Sequence, residues 1–419
     1  MSESRKWWSN VKSLVNPTAA ADNIHAVHIE DNWLTPAEFV ESLNKYYTTN
    51  SDATQLEFPR LEGNPSTPCR ITHKQIIKQL KALNTHKATH SEDFPIWISK
   101  HNAEAIAIPL YDIITTMMRT GKYPSLWKQS EISPLEKIAS PSLFKDFRPI
   151  SLLHHCGKVA ESFIIEALIS DNAHEIDQSQ YAYTKDVGTV DALVDAIMSW
   201  KLALDDKTCL AVHALYEDFS KAFDNMRPDK LAAIMMSQGY QHGVIKLCVN
   251  YLTERRQRVI HKSSRTTSHE RVNSVGVPQG TRCGPVLWNI FIKSLHTSEK
   301  MIKYADDLTI YITLAKSDST STGRGNKCTE SQRINDAATE TFNWCTNNCM
   351  TLNTSKTKHM VISLRDTVNL VNPVMINNDT IERVETFKLL GVHIDEHLNF
   401  HHHVNNIVER SHTIIHYAC

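Results

Sequence analysis

Helices and strands mixed in one chain, an α+β arrangement, is what the sequence predicts, and three observations carry that prediction. Helical signals fall at 35–47, 72–83, 102–119 and 189–204. A nearly continuous apolar run, Cys209 to Leu215, has the character of a central strand. A third stretch, "MIKYADDLTIYI", is β-rich on both sides of two adjacent carboxylates, Asp306 and Asp307.

In chain order, the first 30 residues show little pattern. "TPAEFVESLNKYY" is a helix with Thr35 as its cap and Pro36 in its first turn. Residues 48–70, rich in Pro, Ser, Thr and Asn, form a loop or linker. "ITHKQIIKQLKAL" starts a second helix, with Thr72 and Gln75 at capping-box spacing and Ile76, Leu80 and Leu83 on one face. The helix over 102–119 stops at Gly121 and Pro124. After Leu215 the predicted strand ends at Glu217 and Asp218, and "RPDKLAAIMM" opens a helix with Pro228 in its first turn. Gly276, Pro278 and Gly280 make a tight turn ahead of an apolar helix, "GPVLWNIFI". "AKSDSTSTGRGNK" (315–327) is of low complexity and is expected to be a loop. No internal repeat is present.

The chain has 419 residues, 41% hydrophobic and 22% charged, enough for two or three subdomains. It has no apolar run of about 18 residues and no signal-like start, which predicts a soluble intracellular protein of nucleus or cytoplasm. Nine scattered Cys suit a reducing compartment. The net charge of −1 excludes a globally basic nucleic-acid binder, so any such surface must be local.

Two acids in an apolar run pose a choice. They are either the solvated tip of a hairpin or ligands of a divalent cation such as Mg²⁺, which takes hard oxygen donors. The second reading demands a further carboxylate from another strand end, and Asp218 is the candidate. The alternative leaves Glu217, Asp218 and Asp224 as plain loop acids. The 276–280 turn exposes backbone N–H groups and an amide to a ligand, or is simply a Gly/Pro turn. His393, His397, His401, His402 and His403, with Cys345 and Cys349 upstream, invite a zinc reading, but their spacing fits no familiar ligand pattern.

The succession "DFSKAFD", "GVPQGTRCGP", "YADD" strongly resembles the reverse transcriptases of non-LTR retrotransposons, of the jockey-like or LINE type. Upstream, "WKQSEISPLEK", "FKDFRPISLLHHCGKVAESFI" and "QSQYAYTKDVGTVDAL" are similar to the family's fingers motifs and lead-in to the palm. Downstream, "WCTNNCMTLNTSKTKHMVIS" and "FKLLGVHIDEHLNFHHHV" are similar to the motifs that close the palm and begin the thumb. The resemblance covers residues from about 30 to 405. It implies a right-hand polymerase: helical and β fingers, a palm with an antiparallel sheet, and an incomplete thumb. The implied divisions are 1–66 as N-terminal extension and linker, 67–117 as helical lead-in, 118–394 as the reverse transcriptase domain, and 395–419 as the start of the thumb.

The resemblance also implies an activity, RNA-directed DNA synthesis from dNTPs on an RNA template and a DNA primer, with two Mg²⁺ ions and Mn²⁺ able to substitute. It implies no membrane and no obligate protein partner. Residue by residue, Asp218, Asp306 and Asp307 match the metal-binding acids, and Phe223 the steric gate that selects the sugar. Lys137 and Arg148 match triphosphate ligands, and Gln279 and Gly280 the turn under the nascent base pair. Lys356 matches the lysine that protonates pyrophosphate, with Lys358 close enough to compete. Arg255, Arg256 and Arg258 look like contacts to the template–primer backbone. Departures are visible. "KATHSEDFPIWISK" lacks both glycines of the family's "GPDGIP", Glu136 sits beside Lys137, Glu217 beside Asp218, and Arg282 and Cys283 stand where small or aliphatic residues are usual. They define the alternative, a degenerate remnant that only binds nucleic acid. No endonuclease motif precedes the fingers, and the expectation is a polymerase segment cut at both ends.

Overall fold

A computed structural model describes residues 27–52, 55–63, 70–171, 175–315, 329–364 and 373–418. Most of the predicted 315–327 loop lies outside them.

Two five-stranded sheets organise the chain. The first runs Glu382–Arg383, Lys358–Ile362, Cys209–Asp218, Asp307–Ala315, Lys300–Tyr304, with the long apolar strand at its centre. Every pairing is antiparallel except the short parallel one between Lys358–Ile362 and Glu382–Arg383. Alternation decides what each residue of the central strand meets. Val212, Ala214 and Tyr216 face one apolar cluster with Trp200 and Tyr311, while Ala211 and Leu215 face the larger core with Trp288 and Phe291. Both faces are covered, which is why the strand reads as a continuous apolar run. Tyr216 stacks on Phe387 at 3.9 Å, joining the Thr386–Leu389 and Val392–Asp395 hairpin to the same face.

The second sheet runs Phe147–Leu153, Gln129–Glu136, Arg255–His261, Thr266–Thr267, with Arg271–Asn273 also on Arg255–His261. The helix Pro36–Asp52 packs on it through Phe39, Val40 and Leu43, against Ile132, Phe147 and Val259. Its Asn44 amide bonds Ser268 Oγ and the His269 carbonyl and accepts from Gln257. The segment expected to be an extension and linker is therefore, over its helix, a layer of this sheet. Sequence-local signals give the helix but not its partner, which lies 213 residues away.

The predicted helix starts hold. Thr72 and Gln75 form the reciprocal capping box of His73–Lys81, and Gly121 ends Ala103–Thr120 in the left-handed conformation. The departing segment at 87–100, whose end lies in the helix Ile96–His101, is tied in by Asp93, which accepts from the His155 backbone N–H at 2.8 Å and contacts both His154 and His155 rings. The missing glycines are thus replaced by a polar anchor at the start of His155–Ser170. Among the described residues no helix is long and apolar enough to cross a membrane.

Candidate active site

Lys300–Tyr304 and Asp307–Ala315 pair so that Tyr304 faces Asp307, leaving Ala305 and Asp306 as the turn. Asp307 lies directly opposite Asp218 on the neighbouring strand. Like charges in that position repel, so the sheet holds them only against a cost. Burial first, then the charges of Asp306 and Asp218, push the Asp307 carboxyl up to about 6. Burial likewise raises Asp306, with Lys356 and Arg148 opposing. Asp218 Oδ2 is buried without a hydrogen-bond partner, and Lys356 Nζ stands 3.3 Å from it. Hard oxygen donors, one of them orphaned, gathered where positive charge is wanted fit a divalent cation. Among the described residues no group of three His, Cys, Asp or Glu is posed to hold a metal, so water and substrate oxygens must complete any shell.

All nine cleft residues singled out from the sequence line one hollow: Asp218, Asp306, Asp307, Lys137, Arg148, Phe223, Gln279, Gly280 and Lys356. Lys137 follows the strand Gln129–Glu136 and donates to the Lys145 carbonyl. Burial draws its ammonium below the usual lysine range, and Asp224 partly restores it. Arg148 comes from the partner strand, opposite Leu135. Phe223 sits in the helical turn Ala222–Asn225, its ring 5.1 Å from Trp288 and 6.3 Å from Tyr183. Asn353 donates its backbone N–H to the Asp218 carbonyl, which sets the loop that carries Lys356.

The 276–280 turn bridges the two sheets. Gly276 and Val277 donate to the Met226 and Phe223 carbonyls, and Ser151 donates to the Gln279 carbonyl at 2.7 Å. Gly276 has φ +84°, and a Cβ there would lie 2.6 Å from the Asp224 carbonyl oxygen, so only glycine fits. Gln279 Nε2 donates to Asp224 Oδ1 at 2.8 Å. Asp224, weighed from the sequence as a plain loop acid, is instead the group that fixes this amide. Burial raises its carboxyl, against Gln279, Lys221 and Lys137.

The arginine expectation needs correction. Arg255 is 4% exposed and donates to the Tyr251 carbonyl, and Arg258 pairs with the buried Glu131 at 2.7 Å and with Glu92. Only Arg256 is well exposed, paired with Glu270 at 3.0 Å. Strand alternation turns Arg255 inward, away from the other two, and Arg258 is taken up by Glu131 and Glu92, so the three form no common track. Lys358 turns away to Glu382 at 2.7 Å, leaving Lys356 at the cleft. Glu217 faces the core opposite Asp218, and burial pushes its carboxyl up to about 8. Cys345 is buried in the core, Cys349 lies by Arg227, and His393 neighbours His402 and His403 beside the helix His401–Ala418. The sequence also gave no hint of Glu161, buried in a helix, which accepts from the Tyr251 hydroxyl at 2.9 Å and the Arg282 N–H at 2.6 Å.

A family model described as reverse transcriptase (RNA-dependent DNA polymerase) matches residues 133–394. The chain is 25% identical over 410 residues to a probable RNA-directed DNA polymerase from transposon BS of Drosophila melanogaster, covering 93% of this chain and 42% of that protein. It is 23% identical over 298 residues to the RNA-directed DNA polymerase from mobile element jockey of the same organism, covering 70% and 32%. A third relative there, a probable RNA-directed DNA polymerase from transposon X-element, is 26% identical over 377 residues, covering 86% and 38%. The chain thus spans less than half the length of these relatives. Among solved structures, apo telomerase from Candida tropicalis, truncated of its C-terminal domain, aligns with a TM-score of 0.40 at 12% identity, over 70% of this chain and 59% of that one. That likeness is too slight to carry an argument.

Proposed function

The chain belongs to the reverse transcriptase (RNA-dependent DNA polymerase) family, and from that premise we propose that its cleft extends a DNA primer with dNTPs along an RNA template, as in non-LTR elements of the jockey-like kind. The observation that supports this most directly is the convergence of the nine cleft residues, drawn from both sheets and the loops and turns between them, on one hollow.

In this reading Asp218, Asp306 and Asp307 hold divalent cations, two Mg²⁺ ions with Mn²⁺ able to substitute. When bound, the metal makes the primer hydroxyl more acidic and neutralises the leaving pyrophosphate. Lys137 and Arg148 bind triphosphate oxygens, a point charge and a bidentate fork. Gln279, its amide fixed by Asp224, orients the nascent base pair, and Gly280 lets the backbone approach it. Phe223, with its ring braced by Trp288, excludes a 2′-hydroxyl. Lys356 holds the proton for pyrophosphate, a role favoured for it because Lys358 is engaged by Glu382. The two sheets are fingers and palm, and His401–Ala418 opens the thumb.

Primer extension on an RNA template tests the whole reading. The parent should add dNTPs in Mg²⁺, Asp306→Ala should fall to background with its fold intact, and Phe223→Val should raise rNTP use roughly tenfold, the scale of one lost steric contact. A parent that binds primer–template but adds nothing, even at low salt with Mn²⁺, returns the chain to the remnant reading.

A further inference from the structure

The turn that carries Asp306 holds Ala305 at φ +56°, a left-handed conformation that a residue with a Cβ adopts at a steric cost. Ala305 is also buried, so its backbone N–H and C=O cannot turn to water and must find partners inside the protein. Two side chains supply them. Gln180 Oε1 accepts from the Ala305 N–H at 3.0 Å, and Trp288 Nε1 donates to the Ala305 carbonyl at 2.8 Å. Gln180 Nε2 reaches the same carbonyl at 3.4 Å.

Both side chains are themselves fixed. Gln180 is 4% exposed and Trp288 fully buried. The Gln180 oxygen also accepts from the Ala182 N–H at 2.9 Å, and the Asn289 amide, next to Trp288 in the helix Cys283–Lys293, donates to the Ala182 carbonyl at 3.1 Å. The segment around Gln180 is laced to the strand that leads into the turn. Lys303 donates its N–H to the Ser179 carbonyl, Tyr181 donates to the Lys303 carbonyl, and the buried Lys303 ammonium pairs with Asp177 at 2.8 Å. Trp288 packs against the Phe223 ring, so one indole touches both the acid-bearing turn and the candidate gate.

We infer that Gln180 and Trp288 are positioning residues, a two-sided clamp that holds Ala305 left-handed and thereby aims Asp306 at the cation. Two-residue hairpins favour a positive φ at this position but place glycine or asparagine there, so an alanine tip without such partners would relax, and the carboxylate attached to it would swing away from Asp218 and Asp307. The inference rests on the reading of those acids as metal ligands, and its test must separate the two.

Mn²⁺ binding to the whole chain, followed by electron paramagnetic resonance, reads the site without turnover. Asp306→Asn tests the metal reading: it should lose the site, and if it binds Mn²⁺ like the parent, that reading falls first. Trp288→Phe removes the donor while keeping an aromatic ring in the core, and Gln180→Met removes the two polar contacts to Ala305, with the one to Ala182, at nearly constant volume. Each should weaken Mn²⁺ binding about fivefold, the scale of one hydrogen bond, and raise the metal concentration needed for extension in parallel. Ala305→Gly, which removes the steric cost of the positive φ, should restore part of the loss in Gln180→Met. The clamp is overturned if both variants fold and bind Mn²⁺ within twofold of the parent while Asp306→Asn does not bind. Unfolding of both variants would also overturn it, by assigning the contacts to the fold and not to the site.

Discussion

The central strand Cys209–Asp218 carries a pair of like residues on each of its faces, and the two pairs meet opposite fates. On one face Asp218 stands against Asp307, at a strand end open to the cleft. On the other, His213 Nε2 lies 2.9 Å from His359 Nδ1, fully enclosed by the core. Burial pushes Asp307 and both histidines toward their neutral forms: Asp307 is raised to about 6, and His213 and His359 fall to about 3 and 4. The histidines can settle there, because in a neutral pair the N–H of one ring donates to the bare nitrogen of the other, and a backbone hydrogen bond at Ile381 engages His359 as well. Two carboxylates have no such solution while they stay charged. Access decides the difference, since only the open pair can take up a cation. Identical burial chemistry leaves an accessible, unsettled pair where water can enter and a silent core contact where it cannot.

The largest expected effect sharpens that contrast on two adjacent residues. Asp218→Asn should lower extension at least about a thousandfold, since one charged donor is lost. Glu217→Gln should leave extension within a few-fold of the parent, because Glu217 faces the core and burial holds it largely protonated. Equal losses in a primer-extension assay would mean that the two faces are not separated as the strand's alternation requires.

That Asp218, Asp306 and Asp307 come together was legible in the sequence because each is tied to a short local motif, and because alternation within a known strand fixes its face. The helix cap at Thr72 was legible for the same reason. Arg255, Arg256 and Arg258 were not. "RRQRV" puts arginines on both faces of a strand, and nothing local says that Arg258 meets Glu131, 127 residues away. Nor could local pattern show that Gln180 and Trp288, in separate motifs, converge on Ala305.

A smaller effect follows from those arginines. Burial would raise the Glu131 carboxyl, yet hydrogen bonds from Ser91 and Arg258 carry it below its usual value. Arg258→Ala strands that buried charge and should cost about 3 kcal/mol in denaturant unfolding. Arg256→Ala, at an exposed pair, should cost less than about 0.5 kcal/mol. If the two cost the same, Arg258 is not the internal partner that the closed side of the comparison requires.

The smallest effect concerns the closed pair itself, and its sign can be worked out. His213 has a folded pKa depressed to about 3 from a starting value of 6.5. Between those values the unfolded chain binds the proton and the folded chain does not. The native state is therefore favoured less and less as pH falls through 6.5, by about 1.4 kcal/mol per unit for one such group, and the loss ends only near the folded pKa. His359 adds a similar slope down to about 4. In His213→Leu one of the two titrations disappears. The variant should start less stable at pH 7, since His359 Nδ1 loses its donor, but its stability should fall more gently down to about pH 4.5. Denaturant unfolding at closely spaced pH values measures both slopes. Parallel curves would show that the pair titrates normally and that water reaches it. The two faces of the strand would then differ in what they bind and not in whether they are open.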